Sequence, residues 1–221
     1  HEVAQGYKTL KERTAVVRFK IVGEDAYFLA WTTTPWTLCS NIALCVNPDE
    51  TYARVKAADG FTYIMAKALL DKVLGGIERE EGTPAYEIIE EYKGKDLEYK
   101  EYEPLYQCAK DAADKQHKKA FFVYCDNYVT MEDGTGIVHI APAFGEDDAV
   151  GRKYDAPFVQ MVDEAGVMKP ETPFAGMRAK PTKKEMEAGA INCDVEVLKE
   201  LEGRGILFSA PKVEHEYPHC W

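Results

Sequence analysis

Two short stretches of the sequence concentrate the side chains that could do chemistry. The first is Trp31-Thr32-Thr33-Thr34-Pro35-Trp36-Thr37-Leu38, which places four hydroxyl groups within six positions around a proline. Hydroxyl groups are costly to bury without hydrogen-bond partners. The stretch therefore indicates either a turn whose threonines satisfy their own backbone, or a rim of hydroxyl groups that faces the oxygen atoms of a ligand.

The second stretch runs from Gly134 to Asp148 and has the sequence GTGIVHIAPAFGEDD. Side chains alternate along a strand, so Ile137, His139 and Ala141 would share one face. Taken separately, His139 fits a hydrogen-bonded core histidine, and Asp148 fits a favourable charge in the first turn of a helix. Taken together, a histidine at a strand end and an aspartate just after a short loop could line one pocket.

The elements that must position these stretches are mainly strands, separated by turn residues. Strands are predicted at 16–22, 26–31, 42–46, 52–55, 61–65, 86–92, 120–124, 136–141 and 206–213. Helices are predicted at 66–74, 145–154 and 194–202, and the polar, lysine-rich stretch 111–119 is predicted to be an exposed loop. The predicted fold class is α+β, with a β-barrel-like core and peripheral helices.

The composition is that of an ordinary globular protein and limits the classes of function. The chain has 221 residues, 46% of them hydrophobic, and a formal net charge of −11. This charge argues against strong nonspecific binding to nucleic acid or anionic membranes. Six cysteines without a CxxC pair favour reduced thiols. With no leader and no apolar run of membrane length, we expect a soluble, cytoplasmic protein that does not associate with membranes.

Two other hydrolytic chemistries stay open on the residues alone. A cysteine hydrolase would pair Cys39 or Cys125 with His139, although a lone cysteine is more often a small buried hydrophobe. A metallohydrolase would use His139, Asp147 and Asp148, although adjacent carboxylates on a helix usually point in different directions.

Together, the two stretches resemble the signature stretches of the editing insertion of isoleucyl-tRNA synthetases. They occur in that family's order and at its usual separation, and the resemblance covers essentially the whole chain. Leucine and valine relatives typically carry arginine after the paired threonines and Pro-Ala-His in the second stretch, so Thr34, Trp36, His139 and Phe144 indicate the isoleucine branch. One departure is Cys39-Ser40, where the family more often has Pro-Ala, and we expect it to change only the stiffness of the loop.

The resemblance implies a single editing domain over residues 1–221, a fragment of a larger synthetase, with the class I editing-domain fold. Its implied reaction is hydrolysis of valine from mischarged tRNA-Ile, with valyl-adenylate as an additional substrate. The implied partners are the 3′ end of tRNA-Ile carrying valine and the remainder of the synthetase, with no cofactor, no metal and a monomeric state. No HIGH- or KMSKS-type motif is present, so this fragment is not expected to activate an amino acid with ATP.

The resemblance also assigns roles to individual side chains. Asp148 would hold the α-ammonium group, His139 would shape the side-chain pocket and help to position water, and Thr37 would contact the ester. The only serines, Ser40 and Ser209, lie outside a GxSxG elbow, which agrees with direct attack by water. The side chains assigned to substrate binding are Thr32, Thr33, Thr34, Trp36 and Phe144.

A different class of function remains as the alternative: a module that binds the tRNA acceptor end without hydrolytic activity of its own. An acidic chain with little basic surface would bind tRNA weakly without its parent enzyme. Hydrolysis of valyl-tRNA-Ile by the isolated chain distinguishes the two functions.

Overall fold

The computed structural model describes residues 7–145 and 147–218, which form eleven strands and five α-helices. The strands are β1 Tyr7–Arg13, β2 Ala15–Lys20, β3 Tyr27–Thr32, β4 Ala43–Val46, β5 Thr51–Ala57, β6 Thr62–Ala66, β7 Tyr86–Lys93, β8 Phe122–Cys125, β9 Ile137–Ile140, β10 Leu207–Ser209 and β11 Lys212–Pro218. The helices are α1 Leu70–Leu74, α2 Gln107–Lys115, α3 Asp147–Lys153, α4 Lys183–Glu187 and α5 Cys193–Gly203. Short 3₁₀ helices cover Pro35–Ser40, Lys67–Leu69 and Gly94–Leu97.

One nine-stranded sheet carries the core, and it divides at β3. The sheet has the order β7-β5-β6-β3-β9-β4-β8, and β2 and β10 continue it from β3. One edge of β3 pairs antiparallel with β2, while parallel pairing joins β3 to β6 at Tyr27 and Phe28 and to β9 at Trp31. Because β3 joins three strands, the sheet curls into a half-barrel. The predicted α+β class with a barrel-like core is confirmed.

The burial of each strand follows its position in the sheet. Every residue of β4 and β8 is buried, which suits their short, continuous apolar sequences. The edge strand β7 is exposed along most of its length and carries three glutamates. The fully buried strand β4 pairs with β9 and thus supports it from the interior of the sheet.

The prediction of an exposed loop at 111–119 is wrong for residues 111–115, which belong to the helix α2. Cys108, Ala109 and Ala113 are buried on one side of α2, and the thiol of Cys108 contacts the main-chain carbonyl of Cys39. These small side chains pack on the 3₁₀ helix Pro35–Ser40, while the lysines remain on the solvent side. Tertiary packing therefore determines the helix, and the lysine content is a poor guide to it.

The predicted strand at 206–213 is two strands, because Pro211 cannot donate a ladder hydrogen bond. The first part, β10, pairs with β2, whereas β11 pairs antiparallel with β1 in a separate two-stranded ribbon. A short helix that was not predicted, α4, begins with a capping box between Thr182 and Glu185. In the described ranges, none of the helices is long and apolar enough to cross a membrane.

Candidate active site

The threonine stretch ends β3 and turns into the 3₁₀ helix Pro35–Ser40. Proline suits the first position of this helix, because its fixed φ and missing N–H cost nothing there. The amide of Thr34 donates to Oγ1 of Thr32 at 3.1 Å, and Oγ1 of Thr37 donates to the carbonyl of Thr34 at 2.8 Å. The turn interpretation of the stretch is therefore correct for these hydroxyl groups, which hold the loop rigid.

His139 lies on β9 and brings the second stretch against the threonine turn. Its Nε2 is 2.7 Å from Oγ1 of Thr37, and its Nδ1 is 3.1 Å from Nδ2 of Asn41. Burial lowers the pKa of His139 to about 4, because the charged imidazolium would lose its hydration. The ring is therefore neutral at neutral pH, and it is both a buried core histidine and a wall of the site.

The two stretches line one open cleft with a volume of about 530 Å³. It contains seven of the eight residues that the sequence points to: Thr32, Thr33, Thr34, Trp36, Thr37, His139 and Phe144. The rings of Trp36 and Phe144 meet edge to face, with their centroids 5.1 Å apart. The cleft thus has one wall of hydroxyl groups and one aromatic wall.

Asp148 is the eighth residue, and the structure places it elsewhere. Its carboxylate pairs with Arg152 at 2.7 Å, one turn along α3, and lines a neighbouring pocket of about 230 Å³. Asp147 lines the cleft instead, and its Oδ2 accepts a hydrogen bond from the amide of Ala141 at 2.9 Å. Successive helical residues point about 100° apart, so Asp147 faces the cleft while Asp148, which the sequence placed in one pocket with His139, lines the neighbouring pocket in this structure.

Four further residues belong to the site although the sequence analysis assigned them no role. Trp31 and Tyr128 line the cleft beside the predicted residues. Gly134 packs on Trp31: it has φ +73°, and a Cβ at this position would lie 2.7 Å from the indole ring. Asp194 accepts a hydrogen bond from the amide of Trp36 at 3.0 Å. Trp31 and Gly134 could have been found from their places within the two stretches, whereas Tyr128 and Asp194 lie outside both stretches and could not.

The described side chains are not arranged as either of the two alternative hydrolytic centres. Nε2 of His139 contacts Thr37 and Nδ1 contacts Asn41, so neither ring nitrogen is left to pair with Cys39 or Cys125. Burial raises the pKa of the Cys125 thiol to about 11, and the five cysteines in the described ranges are buried free thiols. Among the described residues, no three histidine, cysteine or acidic side chains converge as metal ligands would. His219 and Cys220, whose spacing from His215 resembles part of a zinc knuckle, lie outside the described residues.

Comparison with known proteins identifies relatives along the whole chain. The isoleucine–tRNA ligase of Clostridium novyi is 44% identical over 224 residues, and that of Bacillus thuringiensis strain Al Hakam is 40% identical over 223 residues. Both alignments cover 100% of this chain, which spans 19% of the length of these relatives. No family model matches the chain.

Solved structures of two editing domains share the fold. The structure described as GlLeuRS-CP1 has a TM-score of 0.64 at 16% identity and covers 90% of this chain and 99% of its own. The editing domain of the P. falciparum cytosolic leucyl-tRNA synthetase has a TM-score of 0.60 at 11% identity and covers 92% of this chain and 100% of its own. The chain is thus a homologue of one segment of the isoleucine–tRNA ligases, and it has the fold of the editing (CP1) domains of class I synthetases.

Proposed function

We propose that this chain is the hydrolytic editing domain of an isoleucyl-tRNA synthetase and removes valine from mischarged tRNA-Ile. The observation that carries the proposal is the single cleft in which the threonine turn meets His139, with Oγ1 of Thr37 2.7 Å from Nε2. Valyl-adenylate is the second substrate that we propose. The proposed setting is a cytoplasmic synthetase whose remaining domains bind the body of the tRNA, while this domain is itself monomeric.

The need for such a cleft follows from the chemistry of the two amino acids. A hydrophobic pocket gains only about 1–3 kcal/mol from one methylene, and isoleucine against valine is the standard example of this limit. A second pocket that admits valine and excludes isoleucine removes the remaining errors. In the proposed reaction, His139 and the paired rings of Trp36 and Phe144 close the pocket around the smaller side chain.

The hydroxyl wall of the cleft suits ester hydrolysis by water. Thr37 has its hydrogen directed to the Thr34 carbonyl, and Oγ1 of Thr34 lies 3.1 Å from Oγ1 of Thr37. Such held hydroxyl groups can orient water and the ribose without rearranging during the reaction, which is the basis of electrostatic stabilisation in active sites. The proposed step needs water alone, without a covalent nucleophile, metal or cofactor.

The α-ammonium group requires a carboxylate, and α3 offers two. The pair between Asp148 and Arg152 is exposed and four residues apart, so it contributes about 0.3–0.5 kcal/mol. A charge-assisted hydrogen bond to an ammonium group contributes about 1.5–3 kcal/mol. We therefore propose that Asp148 exchanges Arg152 for the substrate amine, while Asp147 is restrained by the Ala141 amide.

Single-turnover deacylation of valyl-tRNA-Ile by an excess of this chain tests the proposal. We expect hydrolysis by the wild type and none by Asp148→Ala. The circular dichroism spectrum and melting temperature of Asp148→Ala should equal those of the wild type, which shows that the variant is folded. Asp147→Ala is the matched variant. Loss of hydrolysis in Asp147→Ala but not in Asp148→Ala would assign the binding of the amine to Asp147 instead. Binding of valyl-tRNA-Ile without hydrolysis by the wild type would instead support the acceptor-end binding module.

The size limit is tested separately with isoleucyl-tRNA-Ile. We expect His139→Ala to enlarge the pocket enough to hydrolyse this correct product, which the wild type leaves intact. Unchanged rejection of isoleucine by this variant would show that another side chain sets the limit, and Phe144→Ala would then be the next variant to measure.

A further inference from the structure

We propose that Tyr102, which does not line the cleft, is a positioning residue for hydrolysis there. Its hydroxyl group holds the amide of Asn41, and this amide keeps the single proton of His139 on Nε2, directed at Thr37. The inference rests on the proposed function for its effect on hydrolysis, whereas the position of the proton stands on the geometry alone.

Tyr102 is rigidly placed behind the site. Its side chain is only 1% exposed, and its ring meets Phe19 and Phe121 edge to face, with centroid distances of 5.3 and 6.1 Å. The hydroxyl group lies 2.6 Å from Oδ1 of Asn41. If the amide turned over, this buried hydroxyl group would face an NH₂ group, and its own proton would lose its acceptor.

The orientation of the Asn41 amide follows from its neighbours. Nδ2 lies 2.9 Å from the carbonyl of Ala43, and a carbonyl oxygen only accepts hydrogen bonds. The group that faces it must therefore be the NH₂ group, which leaves Oδ1 to accept from Tyr102. The same NH₂ group lies 3.1 Å from Nδ1 of His139, so Asn41 is the donor in that contact.

This donor decides where His139 carries its proton. A neutral imidazole has one N–H and one acceptor nitrogen, and here Nδ1 is the acceptor. Nε2 therefore carries the proton and donates to Oγ1 of Thr37 at 2.7 Å. Thr37 in turn directs its own hydrogen to the Thr34 carbonyl at 2.8 Å. The chain of hydrogen bonds from Tyr102 thus fixes the direction of the hydroxyl groups that face the ligand.

The consequence for the reaction is that His139 acts as a donor. With Nδ1 occupied by Asn41 and a proton on Nε2, the ring has no lone pair directed into the cleft. It holds Thr37 in place and does not remove the proton of the attacking water. Tyr102 affects hydrolysis only through this arrangement, because it touches neither the cleft nor the substrate.

Long-range ¹⁵N–¹H correlation spectra of the whole chain test the inference, with the His139 signals assigned by comparison with His139→Gln. We expect the wild type to show the Nε2–H form of a neutral ring at pH 7. In Tyr102→Phe the amide loses one of its two anchors and keeps only the contact with the Ala43 carbonyl, and both nitrogen shifts of His139 should move toward a mixture of the two forms. In Asn41→Asp, whose carboxylate can only accept, the proton should appear on Nδ1.

The matched control is Tyr124→Phe. Tyr124 is also fully buried, but its hydroxyl group has no hydrogen-bond partner among the described residues. This variant should leave the His139 signals unchanged. Tyr102→Phe should slow single-turnover deacylation about five- to tenfold at saturating chain concentration, the effect of losing one hydrogen bond of ordinary strength, while Tyr124→Phe should not.

Two spectral results would overturn the inference: an Nδ1–H ring in the wild type, or a Tyr102→Phe spectrum identical to that of the wild type. Equal rates for the two phenylalanine variants would overturn the role of Tyr102 in hydrolysis. If the wild-type chain hydrolysed no valyl-tRNA-Ile, both the proposed function and the role of Tyr102 in hydrolysis would be contradicted. The spectra would still test the position of the proton on His139.

Discussion

The main-chain amide of Trp36 donates a hydrogen bond to a carboxylate oxygen of Asp194 at 3.0 Å. These residues are 158 positions apart, and the bond ties the threonine-bearing 3₁₀ helix to the first turn of α5. A carboxylate is favourable in the first turn of a helix, so Asp194 stabilises both elements. The cleft wall thus depends on a side chain that lies outside both signature stretches.

Asp194→Ala should loosen this wall. The Trp36 amide is partly buried and would lose its acceptor, which costs about 1–3 kcal/mol. We expect a lower melting temperature and slower deacylation of valyl-tRNA-Ile. Glu196→Ala is the control, since Glu196 lies in the same turn and pairs only loosely with Lys199, at 3.5 Å on the surface. Equal effects of the two substitutions would assign the loss to the charge of the helix end.

Thr37→Val should cost both stability and activity. Valine has nearly the shape of threonine but leaves the buried Nε2–H of His139 without an acceptor, at about 1–3 kcal/mol. The free energy of unfolding in urea measures the first loss, and single-turnover deacylation measures the second. The control is Thr62→Val, on β6 and away from the cleft. A Thr37→Val domain as stable as this control would contradict the contact with His139.

The free energy of unfolding should fall on acidification because of His139. Its pKa is about 4 in the folded domain against an ordinary value of 6.5. Between pH 6.5 and 4 the unfolded chain binds a proton that the folded domain does not, so stability is lost as the pH falls through this window. This difference between the two pKa values corresponds to a change in the free energy of unfolding on the order of 3 kcal/mol.

The contribution of His139 is isolated by subtracting the stability of His139→Gln at each pH. Glutamine does not titrate, so the acidic groups common to both proteins cancel. The difference should favour the wild type progressively more from pH 4 to 6.5 and level off above. A flat difference across this range would mean that the folded and unfolded states hold His139 at the same pKa.

Gly134→Ala should displace Trp31 from the cleft. The new methyl group would lie 2.7 Å from the indole ring, and the backbone has φ +73°. Gly60→Ala is the matched control, because Gly60 has φ +91° with no atom within 4 Å of the added Cβ. Both variants should lose about 1–2 kcal/mol of folding free energy, because alanine is strained at a positive φ. Only Gly134→Ala should add a further loss of stability and a change in tryptophan fluorescence.

The sequence predicts the parts of this site that depend on local patterns. The strand before Thr32, the strand that carries His139 and the helix after Phe144 follow from alternation and turn residues. The paired stretches also predicted that these residues meet in one pocket, and seven of the eight line one cleft in the structure, while their roles stay predictions. The sequence did not predict which of the two carboxylates, Asp147 or Asp148, faces the cleft. That choice depends on the residue at which α3 begins.

The supporting residues could not be predicted, for a different reason. Tyr102 and Asp194 reach the site through hydrogen bonds across 61 and 158 positions, and such contacts leave no periodicity in the sequence. The helix α2 was missed because its buried side chains are a cysteine and alanines, which are too small to form a clear apolar stripe. Tertiary packing decides these features.

The pairing of β3 with β9 has a consequence for how the domain folds. Thr37 and His139 are 102 positions apart, so the cleft requires closure of a very long loop, and contacts of this kind form slowly. A nascent or partly folded chain has no organised cleft until β9 is in place. The wall of the cleft formed by the threonine turn and the wall formed by His139 are therefore completed together, when β9 pairs with β3.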